Sequence, residues 1–454
     1  MKALTKHDNS DRYREAGLKL LSKHSISVGD SIKITTEDGE ITGLLMPRYE
    51  SASEEYIVIK LKSGYNTGIH VRKIKSITKL LDKDQAASSI TTTAVIPAKQ
   101  NLPKVALIST GGTIASKIDY RTGGVHAALS ADELYASVPE LANHASIDPE
   151  VLMSEYSENL KPEHWTLIAE KVAKKIETDK YSGLVVSHGT DTMHYTAAAL
   201  SFALQNLPVP VVLVGAQRSS DRPSSDAALN LLGAIIFAAE SKYPGVFVAM
   251  HVGISDDTVA CHMGTRVRKN HTSRRDAFES IDITPIALVR NNEIEMQLED
   301  QNRLEEIFRY KPVRVPFRVN TKFENKVMLF KYYPGFDPTL IEHAIKAGYR
   351  AIVLEGTGLG HVGKECFPAL KKAVGAGLMV CMTSQCIWGR VRMTVYDTGR
   401  DLLDIGVIPL SDMISETATV KAMWALANSK DVEDAKKIMQ ENLANEISSI
   451  IPIS

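Results

Sequence analysis

Several things are scarce in this 454-residue chain, and each scarcity excludes something. Long hydrophobic runs are missing. Nothing approaches the roughly 18 consecutive apolar residues that a bilayer-spanning helix needs, and the most apolar long stretch, 227–239, contains Asn230 and reads as a buried helix. An excess of one charge is missing too. The 53 Lys and Arg against 54 Asp and Glu give a formal net charge of −1, which excludes broad nucleic-acid binding through a polycationic surface. A local basic face stays open.

Cysteine is sparse. Cys261, Cys366, Cys381 and Cys386 contain no Cys-x-x-Cys pair, and the Cys381/Cys386 spacing matches no common zinc site. Reduced thiols and a cytoplasmic home are expected. The stretch Met1 to Asp8 has no apolar h-region, so no secretory leader is expected. There is no Gly-x-x-x-x-Gly-Lys-Ser/Thr stretch or other nucleotide motif, so the chain is expected to hold no ATP and no metal of its own. No short-period repeat and no low-complexity tract is present.

What is there changes texture along the chain. Residues 1–80 begin with a short amphipathic piece over 13–21. They continue as alternating strands at 31–36, 41–46, 56–62 and 68–71, with Asp38-Gly39 as a hairpin turn. A small all-β barrel is expected. Between Lys60 and Lys79 lie Lys60, Lys62, Arg72, Lys73, Lys75 and Lys79 and no acid. They read either as an anion- or RNA-facing stripe or as a solvated rim that guards an edge strand. Residues 81–103 are small, polar and proline-punctuated, as a linker is.

From Lys104 onward the chain alternates between strands and helices. Apolar runs at 105–108, 184–187, 211–214, 246–250, 327–331, 352–354 and 378–382 are separated by helical stretches such as 162–176, 197–204, 340–347 and 368–374. Two further helices are expected at 416–427 and 432–443. Strands apolar throughout and separated by helices predict an α/β fold with a parallel sheet covered on both faces. A larger domain over 104–320 and a smaller one over 321–454 follow from a change near 317–325.

The chemistry is expected beyond the carboxyl ends of those strands. There the strand at 105–108 breaks into Ser109-Thr-Gly-Gly-Thr113, and the strand at 184–187 breaks into His188-Gly-Thr-Asp-Thr192. Gly111 and Gly112 let backbone approach a ligand and aim N–H groups at an anion. Asp191 or Thr192 is alternatively the cap of the following helix. A threonine hydroxyl needs a base to become a nucleophile. The candidate is Lys269, crowded in sequence by Arg266, Arg268, Arg274 and Arg275, where like charge and desolvation would free its amine to accept a proton. The competing reading is a basic surface loop.

Thr110-Gly-Gly-Thr-Ile-Ala115 followed by His188-Gly-Thr-Asp-Thr-Met193 closely resembles the paired motifs of the bacterial-type L-asparaginase family. The resemblance runs from Lys104 onward and leaves the N-terminal domain outside. That extra domain and the linker make the whole resemble the asparaginase-like amidase subunits of archaeal-type tRNA-dependent amidotransferases. The resemblance implies an asparaginase-like two-domain parallel-sheet core and a homodimer. It implies Thr113 as nucleophile, Tyr120 on a glycine-hinged lid, and Ser157 and Glu158 at the substrate's α-carboxylate and α-ammonium. Many asparaginases have glutamine where Glu158 stands. Thr190 and Asp191 would be the second catalytic pair, with Lys269 as proton acceptor and Thr190 either activating a water or itself attacking first, and Gln217 and Arg218 would be part of a Gly-Ala-x-Arg turn nearby. Asparaginases also borrow a carboxylate from a neighbouring protomer; Glu355 and Glu416 are the candidates by position.

The implied activity is hydrolysis of the side-chain amide of glutamine or asparagine. The ammonia would serve a partner amidotransferase chain that converts Glu-tRNA(Gln) to Gln-tRNA(Gln) with ATP and Mg2+, and most tRNA contact would belong to that partner. Two other readings compete: a stand-alone cytoplasmic L-asparaginase, and a non-catalytic interaction protein on the same fold.

Overall fold

The structure is a computed structural model. It describes residues 13, 15–37, 39–46, 55–60, 66–80, 102–111, 116–119, 124–127, 138–218, 225–253, 257–297 and 315–448. Residues 81–101 of the linker, Asp38, Gly112, and the site candidates Thr113 and Tyr120 lie outside the described residues.

In the N-terminal domain, Ser31–Thr35, Glu40–Leu45, Tyr56–Lys60, Asn66–His70 and Ser76–Lys79 form an antiparallel sheet, in the spatial order fourth, third, second, first, fifth. Alternation points Ile32 and Ile34 inward, where they join Ile57, Ile59, Ile69, Ile77 and Leu21 of the Glu15–Lys23 helix in one core. Tyr13 is buried there. Its hydroxyl donates to the Met46 carbonyl and accepts from the Val58 amide, tying two neighbouring strands together. Acids from outside the basic stretch answer its charge. Lys79 pairs with Asp30 at 2.7 Å, Lys75 with Glu37 at 3.6 Å, and Arg72 with Glu55 at 3.4 Å. These pairs favour the solvated-rim reading of the stripe.

The central sheet has the order Glu293–Met296, Ala287–Arg290, Thr258–Met263, Gly245–His251, Pro210–Val214, Gly183–Ser187, Lys104–Ser109, Ser146–Val151. The last five of these run parallel. The first three extend the sheet antiparallel, an addition that the apolar pattern did not predict. Successive residues of each parallel strand go to opposite faces. Val105, Leu107, Val185, Val212, Val214 and Phe247 pack with Leu231 and Ile235 of the Ala227–Glu240 helix. Ala106, Ile108, Leu184, Val186, Leu213 and Val248 pack under the Pro162–Thr178 and Met193–Ala203 helices. Burial on both faces is why these strands are continuously apolar.

The Arg318–Val319 strand pairs with Leu204–Gln205, and the chain then enters a second sheet of parallel strands: Val327–Lys331, Ala351–Gly356, Met379–Ser384 and Ile408–Pro409. Thr339–Lys346, Phe367–Gly375 and Asp397–Ile405 cover one face, and Ser415–Asn428 and Val432–Gln440 the other. The two units meet where Phe202 stacks on Trp424 with Trp165 and Val420 around them. The cysteines are unpaired, three of them buried and Cys386 exposed. Among the described residues no helix is long and apolar enough to cross a membrane.

Candidate active site

The two glycine–threonine motifs leave adjacent parallel strands at the same end, because Ser109 stands in register with Ser187. Thr110 locks the exits together: its amide and its hydroxyl both donate to the Ser187 carbonyl, at 3.1 and 2.8 Å. Gly111 has φ +126°, and a Cβ there would stand 2.2 Å from the Glu155 carbonyl oxygen. Only glycine fits that turn against the 152–155 segment. The same segment leads to Ser157, which is buried, and Glu158, which is exposed.

Ser157 is placed against the second motif. A Cβ on Gly189 would lie 2.9 Å from the Ser157 Cβ and Oγ, and the Thr192 hydroxyl donates to the Ser157 carbonyl at 2.7 Å. Thr192 precedes the Met193–Ala203 helix but makes no side-chain cap bond. Asp191 is turned to Lys269 instead. The capping alternative for these two residues therefore fails.

Lys269 closes the arrangement from the Val267–Lys269 strand, which pairs antiparallel with Phe278–Ser280. Its Nζ lies 2.9 Å from Thr190 Oγ1 and 2.6 Å from Asp191 Oδ1. The lysine side chain is 8% exposed and the Asp191 side chain 66%, so a nearly buried amine faces an open carboxylate. The arginines around it do not crowd it as its sequence neighbours suggested. Arg266 pairs with Asp412, Arg268 with Glu416, and Arg274 with Asp276.

His188, which the sequence offered only as part of the motif, has a defined role. The Trp165 indole donates to Thr196 Oγ1 at 3.1 Å, and Thr196 lies 2.9 Å from His188 Nε2. The Gly189 carbonyl beside Nδ1 can only accept, so in the neutral ring Nδ1 carries the proton and Nε2 accepts from the Thr196 hydroxyl. Burial pushes His188 down to about 4, leaving one ring proton at neutral pH, on Nδ1, donated 2.6 Å to the Gly189 carbonyl. The imidazole thus holds the peptide that precedes Thr190. Behind it, Asp226 accepts the amides of Gln217 and Arg218, and Asn230 binds both Asp226 and the Gly215 carbonyl. This fixes the Gly-Ala-x-Arg turn against Thr190, whose Cγ2 would lie 2.8 Å from a Cβ on Gly215.

The two candidates for a lent carboxylate are both engaged inside their own chain. Glu416 accepts from Arg268 at 2.7 Å, and Glu355 accepts from the Ser415 hydroxyl at 2.6 Å. Among the described residues no group of three or more His, Cys, Asp and Glu side chains is arranged to hold a metal ion.

A buried amine shared by a threonine and a carboxylate at the ends of parallel strands defines, with this fold, an asparaginase-like amidohydrolase. The model of the asparaginase N-terminal domain matches residues 104–302, and that of the glutaminase/asparaginase C-terminal domain matches 326–439. The solved L-asparaginase of Thermococcus kodakarensis superposes with a TM-score of 0.68 at 32% identity, covering 76% of this chain and 100% of that one. L-asparaginase I of Vibrio cholerae gives 0.65 at 30% identity over 77% and 100%. Residues 26–80 match the GatD N-terminal domain model. The D subunit of the glutamyl-tRNA(Gln) amidotransferase of Pyrococcus abyssi is 48% identical over 95% of this chain and 97% of its own, and that of Sulfolobus acidocaldarius 45% over 95% and 94%. The chain belongs to this GatD family, the D subunits of glutamyl-tRNA(Gln) amidotransferases.

Proposed function

We propose that this chain is the amide-hydrolysing subunit of a glutamyl-tRNA(Gln) amidotransferase. It releases ammonia from glutamine or asparagine for a partner, the E subunit of that enzyme, which converts Glu-tRNA(Gln) to Gln-tRNA(Gln). ATP and Mg2+ act at that partner, which also makes most of the tRNA(Gln) contacts. The chain acts in the cytoplasm as a homodimer within a heterotetramer. The GatD N-terminal domain match, absent from a plain asparaginase core, favours this over a stand-alone asparaginase.

The observation that carries the reading is the Lys269 amine held between Thr190 and Asp191. The Thr113 hydroxyl attacks the side-chain amide carbon, and its proton passes to the departing nitrogen, which leaves as ammonia. Thr190, with Lys269 as proton acceptor, activates the water that cleaves the acyl–threonine ester and releases the acidic amino acid. Backbone N–H groups near Gly112 and Gly189 stabilise the oxyanion, a contribution of about 3 kcal/mol per donor. Asp191, open to solvent, takes the substrate's α-ammonium together with Glu158. Ser157 orients the α-carboxylate, and Tyr120 closes over the bound amide.

The test is ammonia release from glutamine by the chain alone and with its E-type partner and Glu-tRNA(Gln). Release that depends on Lys269 and rises with the partner and tRNA supports the reading. Release indifferent to Lys269 would overturn it.

A further inference from the structure

The Val267–Lys269 strand is three residues long, yet it must hold the amine on which the proposed reaction depends. Side chains alternate in extended backbone, so Arg268 and Lys269 face opposite sides of the strand, and Arg266 stands in the turn just before it. The two arginines reach into the smaller domain. Arg266 is fully buried. Its guanidinium donates to the Asp412 carboxylate and carbonyl at 3.1 Å each, to the Asn445 carbonyl at 2.9 Å and to the Ser448 hydroxyl at 2.7 Å. Arg268 donates to Glu416 at 2.7 Å. Next to them, the Thr265 hydroxyl donates to the Ala444 carbonyl, and the Thr417 hydroxyl donates to the Thr265 carbonyl.

The receiving side is itself fixed. Asp412 and Glu416 flank the start of the Ser415–Asn428 helix, which packs on the Met193–Ala203 helix through Trp424 and Phe202. Residues 441–448 form a strap pinned by Lys421. The ammonium of Lys421 lies 2.5 Å from Glu446 and donates to the carbonyls of Met439 and Glu441. The strand that carries Lys269 and the helix that follows Thr190 are therefore both held by one backing.

We propose that Arg266 and Arg268 are positioning residues for Lys269, clamping its strand to the smaller domain and the 441–448 strap so that the amine stands within reach of Thr190. The inference rests on the amidase reading. A lysine side chain has several rotatable bonds and no rigid plane, so its placement is inherited from its backbone. Misplacing a reacting group by about 1 Å costs on the order of 100-fold in rate.

The experiment is steady-state glutamine hydrolysis by the full-length chain with its partner, for wild type, Lys269→Ala, Arg268→Gln, Arg268→Lys and Glu416→Gln. Arg266 is too deeply buried for a clean substitution, whereas Arg268 and Glu416 sample the same clamp from either side. Wild-type rates in Lys269→Ala would overturn the amidase reading itself. With that rate lost, Arg268→Gln and Glu416→Gln should each lower kcat by about 10- to 100-fold, with KM within about twofold and the melting temperature nearly unchanged. Arg268→Lys should recover the rate to within about threefold, because it restores a cation opposite Glu416. Unchanged kcat in both clamp variants overturns the inference. So does a loss that follows melting temperature, or one that Arg268→Lys does not recover.

Discussion

Thr190 and Lys269, 79 positions apart, meet with 2.9 Å between hydroxyl and amine. The sheet makes that meeting possible: one residue leaves the end of the Gly183–Ser187 strand, and the other arrives on a short hairpin. If the amine is the proton acceptor, Lys269→Ala should lower glutamine-dependent amidation in the assembled enzyme by about 10²- to 10⁴-fold. Amidation driven by added ammonium should continue at the wild-type rate. The measurement is Gln-tRNA(Gln) formed from each nitrogen source, and loss of both activities would sink the channelled-ammonia reading.

The division of labour between the threonines has a separate readout. Thr190 touches Lys269 and packs on the Gly215 turn, which suits activation of water more than first attack. Thr190→Ala should therefore trap a glutamyl ester on Thr113, seen by mass spectrometry of acid-quenched enzyme. Thr113→Ala should show no adduct. An adduct on Thr190 in the Thr113→Ala chain would reverse the assignment.

Gly111 carries a stability prediction. Its φ of +126° is closed to L side chains, and an added Cβ would collide with the Glu155 carbonyl at 2.2 Å. Gly111→Ala should cost at least about 1–3 kcal/mol from the backbone conformation alone, with further loss from the displaced 152–155 segment. Urea denaturation reads the cost. A change below about 0.5 kcal/mol, the range of an ordinary surface substitution, would contradict the close approach.

Three buried imidazoles set an acid limit. Burial pushes His188, His194 and His262 each down to about 4. Above about 6.5 both folded and unfolded chains hold them neutral. As pH falls from there toward 4, the unfolded chain takes up protons that the folded chain refuses, so stability drops. At pH 5 the loss is about 2 kcal/mol per histidine. Urea midpoints should fall between pH 7.5 and 5, and His262→Phe should flatten that slope. A slope unchanged by His262→Phe would remove this histidine from the account.

The sequence made the convergence of two motifs legible because parallel neighbouring strands bring their carboxyl ends to one edge, and two apolar runs ending in Gly-Thr pairs announce that geometry. It hid what lies across domains. Nothing near Arg266 or Arg268 in the chain points to Asp412 or Glu416, so a stretch of basic residues read as crowding around Lys269 when most of it faces elsewhere. The 60–79 stripe left two readings open for the same reason, since Asp30, Glu37 and Glu55, which favour the solvated rim, stand outside it in the chain. The antiparallel strands Thr258–Met263, Ala287–Arg290 and Glu293–Met296 were missed because no helix separates them: the Lys269 hairpin lies between the first two and a two-residue turn between the last two. His188 was visible as a letter of the motif, but its tautomer depends on the Gly189 carbonyl and on Thr196, eight residues on.

The strap's own anchor gives the last prediction. Lys421 and Glu446 are both fully buried, 2.5 Å apart. Burial lowers the Lys421 ammonium below its ordinary value, opposed by the carboxylate beside it. Lys421→Met leaves that carboxylate buried without its counter-charge and should cost about 3–5 kcal/mol. Replacing both residues with apolar ones removes the stranded charge but frees four backbone groups. Lys421 had served the carbonyls of Met439 and Glu441, and Glu446 the amides of Leu443 and Ala444. The double variant Lys421→Met/Glu446→Leu should therefore recover only part of the loss, and a double-mutant cycle in urea should show strong coupling. A Lys421→Met cost below about 1 kcal/mol, the level of an exposed ion pair, would show that the strap is held by its other contacts.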